Sequence, residues 1–117
     1  MVVLEHKKLE AWKESIELVT NIYSVLKSFP KEETFGLVMQ IKRAVISIPS
    51  NIAEGCSRQT KPDTIHFLYI ALGSLSETET QLIIAEKLGY CTFDDNISQK
   101  LSNVKNLILG TIRFLKK

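Results

Sequence analysis

Proline and glycine are scarce in this sequence. Three prolines and five glycines among 117 residues exclude collagen-like, low-complexity and linker-rich chains. Cysteine is almost missing as well: Cys56 and Cys91 have neither a C-x-x-C spacing nor nearby histidines, so no zinc or thioredoxin-like centre can be drawn through them. No apolar run approaches the roughly 18 residues of a membrane span. The opening "MVVLEHKKLEAWKES" turns charged after four residues and lacks the apolar core of a signal peptide. A cytoplasmic protein with no membrane contact is expected. Charge of one sign is not in excess either. With 15 Lys and Arg against 13 Asp and Glu, the net charge of +2 is too small to mark a polyanion binder by itself, which leaves local clustering as the place to look. Gly-rich phosphate loops, nucleophile elbows and Glu-x-x-His pairs are absent. No enzyme, no catalytic residue, no metal and no cofactor is expected.

What is present is helical periodicity. The length suits one domain over residues 1–117, and 44% hydrophobic residues suffice for one core. Leu9, Trp12, Ile16, Val19, Tyr23 and Leu26 recur at alternating spacings of three and four, which predicts a first helix over about 9–27. "SFPKEET" ends it, because Phe29 precedes a proline. Val38, Ile41, Val45, Ile48 and Ile52 form the seam of a second helix, about 34–57, with Gly55 near its end. Pro62 suits the first turn of a third, about 62–88, whose inward stripe is Phe67, Ala71, Ser74 or Leu75, Thr78, Leu82 and Ala85. Gly89 supplies its left-handed cap. Asp94 and Asp95 cap a fourth helix, about 94–115, with Ile97, Leu101, Val104, Ile108, Ile112 and Leu115 as its stripe. No segment carries a strand's alternation. The expected fold is all-α, an up-down-up-down antiparallel four-helix bundle. Cys56 and Cys91 then flank the third helix, about 40 Å apart at 1.5 Å per residue, too far for a disulfide.

Pro49 lies inside the second helix. It removes one backbone hydrogen bond and costs roughly 3 kcal/mol, whereas burying Ile48 and Ile52 returns about 1.5 to 3 kcal/mol each. The seam crosses the proline without losing phase, so a helix kinked near Pro49 is expected rather than two helices. Ser47 or Ser50 is placed to satisfy the freed carbonyl, and the kink to aim Asn51 and Glu54 at partners.

The segments "FPKEETFGLVMQIKRAVISIPSNIAEG" and "FLYIALGSLSETETQLIIAEKLGY" resemble the four-helix-bundle proteins named for intervening sequences in bacterial 23S rRNA. The most specific parts are "SIPSNIAEG", with Ser50, Asn51, Glu54 and Gly55, and "GSLSETE", with Gly73, Ser74, Glu77 and Glu79. The resemblance implies a homo-oligomer, with a pentamer favoured, and no known catalytic residues. A related accessory protein of diversity-generating retroelements shares the fold and works with nucleic acid.

Three constellations follow. For antiparallel helices two and three, facing residue numbers sum to about 120, which sets Arg43 near Glu77, Glu54 near His66, Ser47 opposite Gly73 and Asn51 near Tyr69 as interhelical polar contacts. Helix one carries a second stripe, Leu18, Ile22 and Val25, rotated by about 100° from its main seam; it is the expected subunit interface. In helix four, Lys105, Arg113, Lys116 and Lys117 gather opposite the apolar stripe and are the candidate nucleic-acid contacts. An arginine and histidine at ribonuclease-like spacing are not found, since Arg58 and His66 are too far apart across a helix start. The expected role is a non-enzymatic oligomeric bundle associated with RNA, DNA or an unidentified protein partner. The alternative is a purely structural protein–protein interaction module.

Overall fold

The computed structural model describes residues 4–117, and among them the regular elements are all helical. The four main helices are α1 (Glu10–Leu26), α2 (Leu37–Cys56), α3 (Lys61–Lys87) and α4 (Asp95–Lys116). Single 3-10 turns at His6–Lys8 and Lys31–Glu33 precede α1 and α2. Among the described residues no helix is long and apolar enough to cross a membrane.

Local chemistry sets the helix ends. The Thr60 hydroxyl accepts from Asp63 N at 3.3 Å and the Asp94 carboxylate accepts from Ile97 N at 2.9 Å, so α3 and α4 open on side-chain caps. Gly89, with φ of 82°, closes α3. The start of α2 differs from the expectation of residue 34. Its first turn is satisfied by Glu33, whose Oε1 accepts from Leu37 N at 3.1 Å, and the helix begins three residues later. Glu33 Oε2 also accepts from the Tyr90 hydroxyl at 2.9 Å, while Ser28 Oγ donates to the Tyr90 carbonyl at 3.0 Å. These bonds tie the α1–α2 connection to the α3–α4 connection at one end of the bundle. The hydrogen bond to Glu33, with burial and the charges of Glu33 and Glu32, raises the Tyr90 phenol above its ordinary pKa.

Each helix packs on the next, and α4 returns to α1, giving a body of 48 × 26 × 19 Å. The pairings run antiparallel. Tyr23 meets Lys42 while Trp12 lies beside Ala53; Gly55 touches Thr64 while Ser47 meets Ser74; Glu86 accepts from Phe93 N while Tyr69 meets Lys116. α2 continues unbroken through Pro49, and Ile48 and Ile52 on either side are fully buried. Gly55 sits within the last turn of α2, not beyond it. A Cβ there would lie 3.0 Å from Phe67 Cβ and 3.1 Å from the Thr64 carbonyl oxygen, so glycine lets the α2 and α3 backbones close. The Thr64 hydroxyl donates to the Gly55 carbonyl at 2.8 Å across that contact.

The seams of α2 and α4 are buried as expected, and so is that of α3 except for half-buried Phe67, beside which Leu68 turns inward. α1 is the exception. Leu18 and Ile22 are 0% exposed and belong to the core, in phase with Ala11, Ser15 and Leu26. They are therefore not a subunit interface, and Val25 is half-buried against the core. Of the stripe read as the core seam, Leu26 is buried, Leu9, Trp12, Val19 and Tyr23 are half-buried against the core and Ile16 is 38% exposed, so its middle is the outer side of α1. The physical reason lies in the small residues. Ala11 and Ser15 share a face with Leu18 and Ile22 and let α1 approach its neighbours closely. The bulky Trp12 and Tyr23 are left half-buried at the edge where α1 meets α2.

Ile22→Ala should therefore cost about 2 to 5 kcal/mol by leaving a core cavity, whereas Ile16→Ala should cost less than about 1 kcal/mol. Urea denaturation checks the order; an equal or reversed cost would restore the outer stripe to the core.

Candidate functional site

Three surfaces carry the residues that the sequence singles out. The first is the face shared by α2 and α3. Gln40, Arg43, Ala44, Ser47 and Glu77 line an open cleft of about 410 Å³. Below it Ser47 Oγ and Ser74 Oγ share a hydrogen bond of 2.8 Å, and Asn51 Nδ2 donates to both the carbonyl and the hydroxyl of Ser47, each at 2.8 Å. The half-buried Asn51 is thus satisfied within α2, and Tyr69, its expected neighbour, is occupied elsewhere.

The expected ion pairs do not form. Arg43 and Glu77 border the same cleft, but both are exposed and no ion pair links them among the described residues. Glu54 is also exposed, and its carboxylate lies 3.5 Å from Arg58 one helical turn on, not from His66. His66 is exposed and stands edge-on to Phe67. Ser50 is exposed as well. Register arithmetic placed these residues on the right helices at the right height. It could not foresee that long charged side chains at a bundle's rim stay in water, where pairing gains little and costs side-chain entropy. Ser47 found Ser74 rather than a position opposite Gly73, an offset of one residue.

The second surface is the basic side of α4. Lys105, Arg113, Lys116 and Lys117 are all exposed, and none makes an ion pair among the described residues. They are not equivalent. Lys105 shares a cleft between α3 and α4 with Glu79, Ser76 and Ser102, so an acid lies close to it. Lys116 Nζ donates to the Tyr69 hydroxyl at 3.2 Å and sits 5.5 Å from the centre of that ring. Tyr69 is 48% exposed and Phe114 on the last turn of α4 is exposed too. Tyr69 is the residue that sequence reasoning missed here. Its signal was the register itself, since antiparallel packing brings the start of α3 to the end of α4.

The third surface is apolar and lies between α1 and α2. Trp12, Ile16, Val19 and Tyr23 face Ile46, Pro49 and Ala53 across two adjoining hollows that share Val19 and Ile46. Lys42 Nζ lies 4.9 Å from the centre of the Tyr23 ring at its edge. The two thiols contribute to none of these surfaces: Cys56 and Cys91 are free and half-buried, and burial raises both above their ordinary pKa, with Glu86 adding to the rise at Cys91. Neither is a poised nucleophile.

Arg43→Ala should change stability by less than about 0.5 kcal/mol, as for an exposed, unpaired charge. A loss of about 3 kcal/mol or more in the same denaturation experiment would mean that Arg43 and Glu77 form a buried pair after all.

No curated protein matches the chain. Among solved structures, it is similar to a protein of unknown function from the S23 ribosomal protein family of Bacteroides thetaiotaomicron. The two superpose with a TM-score of 0.79 at 28% identity, covering 88% of this chain and 95% of that one. The family described as 23S rRNA-intervening sequence protein matches residues 7–110, which takes in α1, α2, α3 and most of α4. The chain therefore belongs to the 23S rRNA-intervening sequence protein family.

Proposed function

We propose that this protein is a non-enzymatic, homo-oligomeric scaffold of the cytoplasm that associates with nucleic acid through the end of the bundle where α4 finishes. The observation that carries this reading is Lys116 against the exposed ring of Tyr69, with the exposed Arg113, Phe114 and Lys117 around the same end of α4. Cations without acidic partners release counterions when they meet phosphates, and neighbouring aromatic rings offer stacking faces to unpaired bases. The exposed rings suit a flexible single strand better than a duplex, because unpaired bases are free to stack on them. A few cations bind weakly on their own. Repetition of the cluster around an oligomer, with five copies favoured by the family likeness, multiplies the contacts that one strand can make.

A second reading is a protein–protein interaction module without nucleic acid. The apolar α1–α2 groove favours it, since unpartnered apolar surface flanked by polar residues marks contact sites between proteins. It shares the self-assembly and differs in the partner.

The discriminating experiment measures binding of labelled single-stranded RNA and DNA at about 50 and 200 mM salt. Wild type should lose affinity steeply as salt rises. The variant Arg113→Gln, Lys116→Gln, Lys117→Gln should bind more weakly and with a shallower salt slope, by about one unit per phosphate contact removed. Lys105→Gln should have a smaller effect because Glu79 borders it. Tyr69→Ala should weaken binding with the salt slope unchanged. No binding by wild type at low salt, or equal binding by the triple variant, would leave the interaction-module reading in its place.

A further inference from the structure

One large apolar side chain is far more exposed than any other among the described residues. Phe35, in the turn before α2, is 85% exposed, whereas the other large apolar residues on the surface are 57% exposed or less. Its backbone is nevertheless held firmly. Thr34 N donates to the Lys31 carbonyl at 3.0 Å and Gly36 N to the Glu33 carbonyl at 3.1 Å. Glu33 takes Leu37 N on one carboxylate oxygen and the Tyr90 hydroxyl on the other. Gly36 leaves room for that carboxylate: a Cβ there would come within 2.8 Å of Glu33 Oε1 and push the side chain aside. The chain thus presents an aromatic ring to solvent on a turn braced from both sides. Little conformational freedom remains to be lost when that ring is covered, which favours binding.

The same chain offers a matching receptor. The upper hollow of the α1–α2 groove holds about 410 Å³ and is lined by Val19, Thr20, Tyr23, Ser24, Lys27 and Ile46. Phe35 follows the end of α1 by nine residues and sits at the same end of the bundle as Lys27, so ring and hollow lie at similar heights along the long axis. Their charges are complementary. Glu32 and Glu33 against Lys31 make the Phe35 turn net acidic, and the charged side chain lining the hollow is Lys27, with Lys42 at the Tyr23 edge. Complementary rims suppress wrong pairings and fix orientation.

The geometry points to a head-to-tail contact between copies of this chain, in which Phe35 of one copy enters the α1–α2 hollow of the next. The inference rests on the self-assembly proposed above and names the surfaces that carry it. Offered head to tail, ring and hollow make a heterologous contact in which each copy gives one Phe35 and receives one, and the series closes into a ring where the rotation between copies brings the last hollow to the first Phe35. A face-to-face pairing of two α1–α2 grooves would instead stop at two copies and leave Phe35 in water.

Light scattering on the full chain, with far-UV circular dichroism as a fold control, tests this. Wild type should have a mass several times the 13.3 kDa of one chain. Phe35→Asp and Ile46→Asp change exposed side chains, so both should keep their helical signal, and each should weaken self-association by about 30-fold or more, as expected of a contact hot spot. Mixed in equal amounts, the two variants still offer one intact ring and one intact hollow, and should form a species of two chains that neither forms alone. A monomeric wild type would overturn the self-assembly reading itself. An assembled wild type with Phe35→Asp equally assembled, or two monomeric variants whose mixture stays monomeric, would overturn the head-to-tail contact while leaving self-assembly standing.

Discussion

α2 and α3 meet almost backbone to backbone at Gly55, and the rest of the bundle is arranged around that approach. The 3.0 and 3.1 Å that a Cβ would have to Phe67 and to the Thr64 carbonyl mean that any larger residue there must push these neighbours back by a few tenths of an ångström. The Thr64 hydroxyl closes the contact from one side, and the Ser47–Ser74 bond holds it two turns away. Two small hydroxyls suffice where the backbones are this close, and Asn51 needs only its own helix for partners. With α2 and α3 set in this register, Pro49 becomes tolerable. The fully buried Ile48 and Ile52 beside it return roughly as much as or more than the proline's loss.

Much of this was legible in the sequence, and the unread parts share a cause. α2 and α4 each carry one apolar stripe that dominates, so period alone identified their buried faces; α3 also shows Tyr69, Ile70, Ile83 and Ile84 to solvent, yet its inward stripe was placed except at Phe67, and the ends of all three helices to within three residues. α1 carries two, about 100° apart, and period cannot choose between them. The longer run at spacings of three and four suggested Leu9, Trp12, Ile16, Val19, Tyr23 and Leu26. Packing chose Leu18 and Ile22, because small Ala11 and Ser15 on that face allow close approach to α2 and α4. The polar constellations show a related limit. Antiparallel register placed Arg43 with Glu77 around one cleft, yet solvent removes the need for them to pair. The same register, applied to α3 and α4, leads to Tyr69 beside Lys116.

Reversing the faces of α1 changes what the surface offers. Had Trp12, Ile16 and Tyr23 been enclosed, the outside of α1 would be polar but for a narrow aliphatic line. Instead an aromatic-rich groove lies open between α1 and α2, next to Pro49, which has no amide proton and adds only apolar surface to its wall. On the proposed reading this groove joins copies of the chain, and the cations and aromatic rings near the end of α4 remain free for a phosphate-bearing partner. Assembly and recognition then occupy different parts of one small bundle, so that repetition of the subunit strengthens binding without altering its site.

The central claim concerns which side of α1 faces inward, and hydroxyl-radical footprinting read by mass spectrometry addresses it residue by residue. In dilute, dissociated chain, Trp12, Ile16 and Tyr23 should be oxidised while Leu18 and Ile22 remain unreactive. At concentrations where the chain assembles, Tyr23 and its neighbours should become protected and Leu18 and Ile22 should not change. Oxidation of Leu18 and Ile22 in the folded, dissociated chain, with Trp12 and Ile16 protected there, would contradict the account.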